Sequence, residues 1–468
     1  MHILSKSTYI KGLQCPKALY MTKKHPYLRD KLSIEQRAKF QRGTEVGILA
    51  HEYFPGGIDM TPNSPTQFPR RVKETMANLG NPEVNVMYEA VFQYNDTLIM
   101  LDMLVRDGNK WLAVEVKSSM RLSDTYYNDA ALQYYVLHGC DVPLSDFRLM
   151  YLNGDYVKNG PIDVKQLFKM ESVLDYAKER ESFVAENVER LKNVVAQEHA
   201  PIINIGTQCH NPYTCDFLGH CWKLIPKNSF LFTNALDDDK LFELYFGGTN
   251  SNEKLLTQID ANSLEAHQIE ALDSNSYYLD YKTLFSLAPQ PKPQSVAFLN
   301  LLLNRPAVPE IDGTHPYDEM ILAFALNGEY ELDGVTLWDC FDDHSRWHEA
   351  IDLLIEKLSH YELIVCFTPQ NLTTTLLRHE IVQNREVGYK VFNLFDVLQQ
   401  ANFYHPKIKA GFTLQHLAEA LSDNPKLFEH SRIIVEALSN DLLGYQQAKE
   451  DLIAENETVA FIYHKFFK

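Results

Sequence analysis

Residues 97–119, TLIMLDMLVRDGNKWLAVEVKSS, restrict this chain more than any other stretch. Two apolar runs flank Asp107-Gly108-Asn109, a pattern that predicts strand, tight turn, strand. Side chains alternate between faces along a strand, so Glu115 and Lys117 share one face while Val114 and Val116 point to the other. If the loop runs from Asp107 to Lys110, Asp102 stands opposite Glu115, with Cβ atoms roughly 5 Å apart; a two-residue loop makes them diagonal neighbours on the same face. Either way two carboxylates and an ammonium converge.

Burying such a trio among apolar residues is costly unless something compensates, and a divalent cation does so. Mg²⁺ takes hard oxygen ligands, often one or two carboxylates plus waters and a substrate phosphate. A lysine beside it can orient or deprotonate a water for attack on phosphorus, which is the chemistry of phosphodiester hydrolysis. The competing explanation is an edge-strand salt bridge of Asp102 or Glu115 with Lys117.

At 468 residues, with 45% hydrophobic and 12% aromatic content, the chain has material for two or three ordinary globular domains. The first residues lack an apolar core of signal-peptide length, and 18 apolar residues never run together, so a cytoplasmic protein without a membrane span is expected. The net charge of −18 is unevenly shared: residues 1–221 carry −1 and residues 222–468 carry −17. Residues 1–45 hold ten basic and three acidic side chains, Lys6, Lys11, Lys17, Arg37 and Arg42 among the basic ones, which suits contact with phosphates or simply a solvated face.

Seven cysteines in such a chain argue against a disulfide framework. Cys209, Cys215 and Cys221 are evenly spaced in the turn-rich GTQCHNPYTCDFLGHCW, and Cys15 is a distant fourth. Four thiolates suit an iron-sulfur cluster or zinc, with His210 and His220 as adjacent alternative ligands. Cys140, Cys340 and Cys366 lie in apolar surroundings and read as buried thiols.

The order of these parts is specific. Residues 1–227 resemble the RecB-like iron-sulfur nucleases, the group of CRISPR-associated adaptation nucleases and AddB-type helicase-nuclease subunits. The match runs through Cys15, a histidine on a helix at His51, Asp102, the Glu-x-Lys of Glu115 and Lys117, a glutamine helix at Gln133 and the closing cysteines. That resemblance implies a restriction-endonuclease-like α/β fold in which His51, Asp102 and Glu115 bind Mg²⁺ or Mn²⁺. It further implies that Lys117 assists the water, that Gln133 belongs to the catalytic set, and that Cys15, Cys209, Cys215 and Cys221 hold a cluster, with 4Fe-4S favoured. The implied substrate is DNA, single-stranded or at ends. The chain departs from the family at Ile99, where glycine is frequent, and at Leu137, where tyrosine is frequent; both bear on the fit to DNA.

The apolar spacing of Phe40, Val46, Ile48, Leu49 and Phe54 predicts a helix running through His51 to the stop at Pro55-Gly56-Gly57. Residues 121–138 read as a helix capped by Asp124. Residues 163–198 read as one long amphipathic helix with Leu167, Val173, Leu174, Tyr176 and Ala177 on its core stripe.

Residues 228–270 read as a polar, acidic linker with some helix. Residues 271–468 resemble an RNase H-like exonuclease domain. The carrying residues are an apolar strand leading into Asp280, residues 362–381, and Glu457 on a last helix where aspartate is usual; Asp396 and Tyr404-His405-Pro406 with Gly411 resemble the uncharacterised domain that commonly follows such iron-sulfur nuclease domains in bacterial proteins. Lys282 stands where the exonuclease family has a second acid, and a positive charge there repels metal. This domain is therefore expected to be catalytically degenerate and to serve in scaffolding or as the acidic docking surface of a protein partner. The whole reads as a metal-dependent deoxyribonuclease, the alternative being a noncatalytic protein that binds nucleic-acid ends and keeps the cluster for stability.

Overall fold

The computed structural model describes residues 3–32, 34–328, 334–368, 390–423, 425 and 442–468. It is a mixed α/β chain with two mixed sheets, and it divides into two compact units. The first comprises Met1–Lys223 together with Pro306–Asp318; the second comprises Leu224–Arg305 and Glu319–Lys468. Among the described residues no helix is long and apolar enough to cross a membrane.

The sheet of the first unit is built from β1 (Leu4–Ser5), β2 (Ile58–Asp59), β3 (Val86–Tyr94), β4 (Thr97–Asp107), β5 (Lys110–Lys117), β6 (Leu144–Leu152) and β7 (Phe168–Ser172). Strands β2 to β7 lie in sequence order, and β1 pairs with β4. The hairpin β3-β4-β5 is antiparallel, whereas β6 runs parallel to β5, so the chain must cross over the sheet between them. Asp107 pairs with Lys110 across a turn whose Gly108 has φ +61°, the left-handed conformation a tight hairpin requires. The ladder runs from there to Met103 opposite Val114, a register whose next pair is Asp102 and Glu115.

The crossover is α5 (Asp124–Gly139). It follows α1 (Lys6–Gln14), α2 (Pro16–Lys24), α3 (Ile34–Ala50) and α4 (Phe68–Leu79), and is followed by α6 (Val164–Leu167), α7 (Leu174–Glu179), α8 (Glu181–Ala196) and α9 (Leu218–Trp222). Its residues Ala130 to Leu137 are all buried because helices cover one side of it and the sheet the other. Its N-cap is Ser123, one residue before the Asp124 expected from sequence.

Two further expectations are corrected. The long helix over residues 163–198 is interrupted by β7, which pairs antiparallel with β6 and covers a sheet edge that would otherwise present unpaired backbone. Leu167, Val173 and Ala177 are buried as the stripe implied, though on two short helices and the residue that joins β7 to α7 instead of on one helix. On α3, Val46 is buried but Phe40 and Ile48 are exposed, so the apolar spacing there overstated the covered face.

In the second unit the sheet order is β10 (Thr336–Asp339), β9 (Met320–Gly328), β8 (Val296–Asn304), β11 (Leu363–Cys366), β12 (Lys390–Asn393). Three antiparallel strands are joined through β8 to two parallel ones. The passage read as a linker carries helices Asp238–Phe246, Asn252–Leu256 and Leu264–Ser274, capped by Asp237, Ser251 and Ser263. Leu241, Leu255 and Ile269 are buried, so this passage packs as part of the unit.

Candidate functional site

Where β4 and β5 pass β3, the hairpin register brings Asp102 to Glu115. Asp102 Oδ2 accepts the Val116 amide at 2.6 Å. Glu115 is 1% exposed, and its Oε1 accepts Lys6 Nζ at 2.5 Å and Lys117 Nζ at 2.9 Å. Lys117 Nζ also reaches Asp129 Oδ2 of α5 at 2.8 Å and lies 4.9 Å from the centre of the Tyr126 ring. Glu115 Oε2 is buried without a hydrogen-bond partner among the described residues.

Asp102 and Glu115 are driven apart in acidity. Burial and the neighbouring Glu115 carboxylate push Asp102 up to about 8. Burial also works against the Glu115 anion, but Lys117 and Lys6 more than offset it and hold Glu115 down at about 2. For Lys117, burial favours the neutral amine, yet Glu115 and Asp129 outweigh it and raise its pKa. A lysine held as the ammonium in this way can donate to and orient a water or a phosphate oxygen.

Three contributors went unrecognised there. Lys6, read as part of a basic surface, reaches Glu115 because β1 pairs with β4 and α1 starts at Lys6, with Ser5 and Thr8 forming its capping box. Asp129 comes from the crossover helix. Glu89 interrupts β3 with φ +50°, and burial together with Glu115 pushes its carboxyl up to about 6. A lone glutamate inside the apolar run VMYEAVF was a usable signal.

Gln133 lies four residues beyond Asp129, on the α5 face that carries Lys117's partner. It is fully buried, and neither amide atom has a hydrogen-bond partner among the described residues. His51 begins a short 3₁₀ turn after α3, its ring stacked on Tyr88 at 4.0 Å and 6°. Gly57 packs so closely that a Cβ there would come within 2.5 Å of the Tyr88 ring, which pins this turn against β3. Burial lowers the His51 pKa, and Asp59 opposes it. Among the described residues no hydrogen bond to Asp102 or Glu115 comes from His51; the structure joins Glu115 and Lys117 directly, ties Asp102 to the Val116 amide between them, and sets His51 beside Tyr88 and Asp59.

Cys15, Cys209, Cys215 and Cys221 line one pocket, together with Ala18 and Phe217. Cys15 sits at the α1–α2 junction and the other three in the loop ending in α9. Polar contacts clasp the two segments: Gln14 Nε2 donates to the carbonyls of Gln208 (2.8 Å) and Tyr213 (2.6 Å), Lys11 pairs with Asp216, and the Asp30 amide donates to Asp216 at 2.7 Å. Burial and the other three sulfurs push the Cys215 thiol up to about 11. Such crowded thiols become thiolates when a cationic centre compensates them, so the donor set fits a four-thiolate metal group. Among the described residues no three His, Cys, Asp or Glu side chains are closed up into a metal cage, at the thiols or at the carboxylates.

In the second unit the expected acids are otherwise engaged. The strand expected before Asp280 is only an isolated bridge of Tyr278 with Tyr404, and Asp280 caps helix Tyr281–Leu287 by accepting from Thr283. Lys282 is therefore a helix residue, not the partner of a strand-end acid. Asp396 accepts from Asn393 at 2.8 Å, and His405 caps the turn Pro406–Ala410. The central strand is β8, VAFLNLLLN, which carries no acid. Its Asn300 meets the fully buried Asn456 of the last helix, whose amide also donates to the carbonyls of Phe298 and Ala325. Of residues 362–381, those from 369 onward lie outside the described residues.

No protein-family model matches this chain, and no curated protein matches it.

Proposed function

We propose that the first unit is a divalent-metal-dependent nuclease acting on DNA, in keeping with the RecB-like resemblance. The observation that carries this reading is Glu115: a buried carboxylate with one oxygen shared by two ammonium groups and the other without a hydrogen-bond partner among the described residues, facing a second, half-buried acid. Native interiors seldom leave such an atom unsatisfied, and exceptions cluster where a ligand or ion completes the site.

Asp102 and Glu115 would hold Mg²⁺ or Mn²⁺, with Glu89 close enough in charge to contribute and His51 at the margin. A divalent cation there supplies neutralisation of charge on the phosphoryl oxygens. Lys117, kept charged by Glu115 and Asp129, orients the attacking water or a phosphate oxygen. Gln133, fully buried one turn beyond Asp129, would belong to the set by supporting the α5 face that holds Lys117's partner. The four cysteines would hold an iron-sulfur cluster, which supplies a cross-link between the chain's first helices and the loop before α9.

For the second unit we propose an RNase H-like domain without hydrolytic activity, serving in scaffolding or partner binding. The three-antiparallel, two-parallel strand order supports the first half of that reading, and an acid-free β8 paired through Asn300 and Asn456 supports the second. The noncatalytic alternative for the first unit draws on the self-contained ion network of Lys6, Glu115, Lys117 and Asp129. The two readings part in one experiment, cleavage of end-labelled single- and double-stranded DNA with Mg²⁺ or Mn²⁺. The nuclease reading requires cleavage that Glu115→Ala abolishes in a folded protein; activity that persists in the variant refutes it.

A further inference from the structure

After β8 the chain leaves the second unit, and it re-enters at Glu319 before β9; the intervening Pro306–Asp318 packs within the first unit. By sequence this segment belongs wholly to the C-terminal half. Its attachments are of several independent kinds. Asp312 binds Lys158 Nζ at 2.5 Å and the Gly160 amide at 3.1 Å. Lys158 and the segment exchange backbone bonds, Lys158 N to Thr314 O at 3.0 Å and Gly313 N to Lys158 O at 2.8 Å. Ala307 is buried in the apolar cluster that contains Val46 and Ala50 of α3 and Val114 of β5, with Val308 and Tyr317 packed against it.

Tyr317 touches both sides of the site at once. Its hydroxyl donates to the carbonyl of Ser118, the residue after Lys117, and the Arg42 guanidinium of α3 lies 6.0 Å from the centre of its ring. It does so at φ +62°, a left-handed conformation that bulky side chains seldom adopt and that persists only where the surroundings enforce it. Its amide donates to Pro306 O at 2.8 Å, closing the segment on itself.

We propose that Pro306–Asp318 is a positioning element of the first unit's site, in which Tyr317 ties the end of β5 to α3 and so fixes where Lys117 and the His51 turn stand. The inference rests on the nuclease reading only for its activity readout. A site held to within fractions of an ångström loses rate steeply when its supports loosen.

The test uses the full chain. Tyr317→Phe removes the hydroxyl and little else; Lys158→Met undoes the far anchor without altering Tyr317. Both should speed amide hydrogen exchange in residues 118–122 and 42–54 while leaving exchange in β8 and β9 unchanged. Both should weaken Mn²⁺ binding, and Tyr317→Phe should lower kcat about tenfold with KM little moved. Unchanged exchange in both segments in both variants overturns the proposal, as does a rise in kcat, which would make the segment a restraint. A wild-type chain that cleaves no DNA overturns the nuclease reading, while exchange and Mn²⁺ affinity still decide the role of the segment.

Discussion

A Lys6→Met chain should be less stable than the native one without metal and should bind metal more tightly. Lys6 Nζ lies 2.5 Å from Glu115 Oε1, an oxygen it shares with Lys117 at 2.9 Å. Removing one partner of a fully buried ion pair costs roughly 3–5 kcal/mol. Here Lys117 remains, and the Lys6 side chain is 30% exposed, so the expected loss is about 1–3 kcal/mol. For a unit of this size that lowers Tm by roughly 2–4 °C per kcal/mol. With metal the sign reverses, because a cation bound at Glu115 no longer has to displace an ammonium or lie beside one. At an effective dielectric of about 20, a unit charge roughly 5 Å from a divalent ion opposes it by several kcal/mol before solvent screening. After screening, a tenfold to hundredfold gain in Mn²⁺ affinity is expected, about 1.4 kcal/mol per factor of ten. Thermal melting in EDTA measures the first effect, and Mn²⁺ titration followed by electron paramagnetic resonance measures the second. An unchanged or weakened Mn²⁺ affinity would refute the idea that Lys6 stands in a cation's place.

Mn²⁺ affinity should also depend on pH: with Asp102 pushed up to about 8, the metal must displace a proton below that value, so binding should tighten by up to about tenfold per pH unit from 6 to 8 and level off above. Flat affinity across that range would contradict a protonated Asp102. Gln133→Leu removes two unpaired buried polar atoms and should raise stability by about 1–3 kcal/mol in chemical denaturation while lowering cleavage; a loss on both counts would mean the amide has structural partners. Anaerobically purified protein should be brown and contain iron, with Cys15→Ser as damaging as Cys209→Ser; stoichiometric zinc without iron in such a preparation would rule out the cluster. Asp280→Ala should cost about 1 kcal/mol as a lost N-cap and leave nucleic-acid hydrolysis unchanged, whereas a specific loss of 3′ label release would mean that the second unit is active.

How much of this was legible follows from the range of the interactions involved. The β4–β5 hairpin is local, and its turn and alternation placed Asp102, Glu115 and Lys117 on one face before any coordinates did. The cysteine loop is local too, and the distant Cys15 was taken as its fourth thiol from the cysteine count alone. Lys6 and Asp129 enter through β1 pairing with β4 and through the crossover helix, contacts more than ten residues apart that no spacing rule reaches. Strand β7 was misread because a short amphipathic run between helices keeps helical periodicity, and it is the open edge of β6 that recruits it. Asp280 was misread for a related reason: apolar residues before an acid describe a helix N-cap as well as a strand end. The central strand of the second sheet, β8, carries no charge to draw the eye.

The donated segment also sets an order of events during synthesis. A chain emerging from the ribosome has every strand of the first sheet once β7 is out, and its cysteine loop by Cys221, yet it lacks Pro306–Asp318 until roughly a hundred residues later, about 5–20 s at ordinary elongation rates. For that interval α3 and the end of β5 lack their tie, and Asp102 and Glu115 stand in a looser frame. If the unit is a nuclease, it becomes fully competent only when the chain has been made through Asp318, well into its second half, so a truncated nascent product carries the catalytic residues without the part that sets them in place.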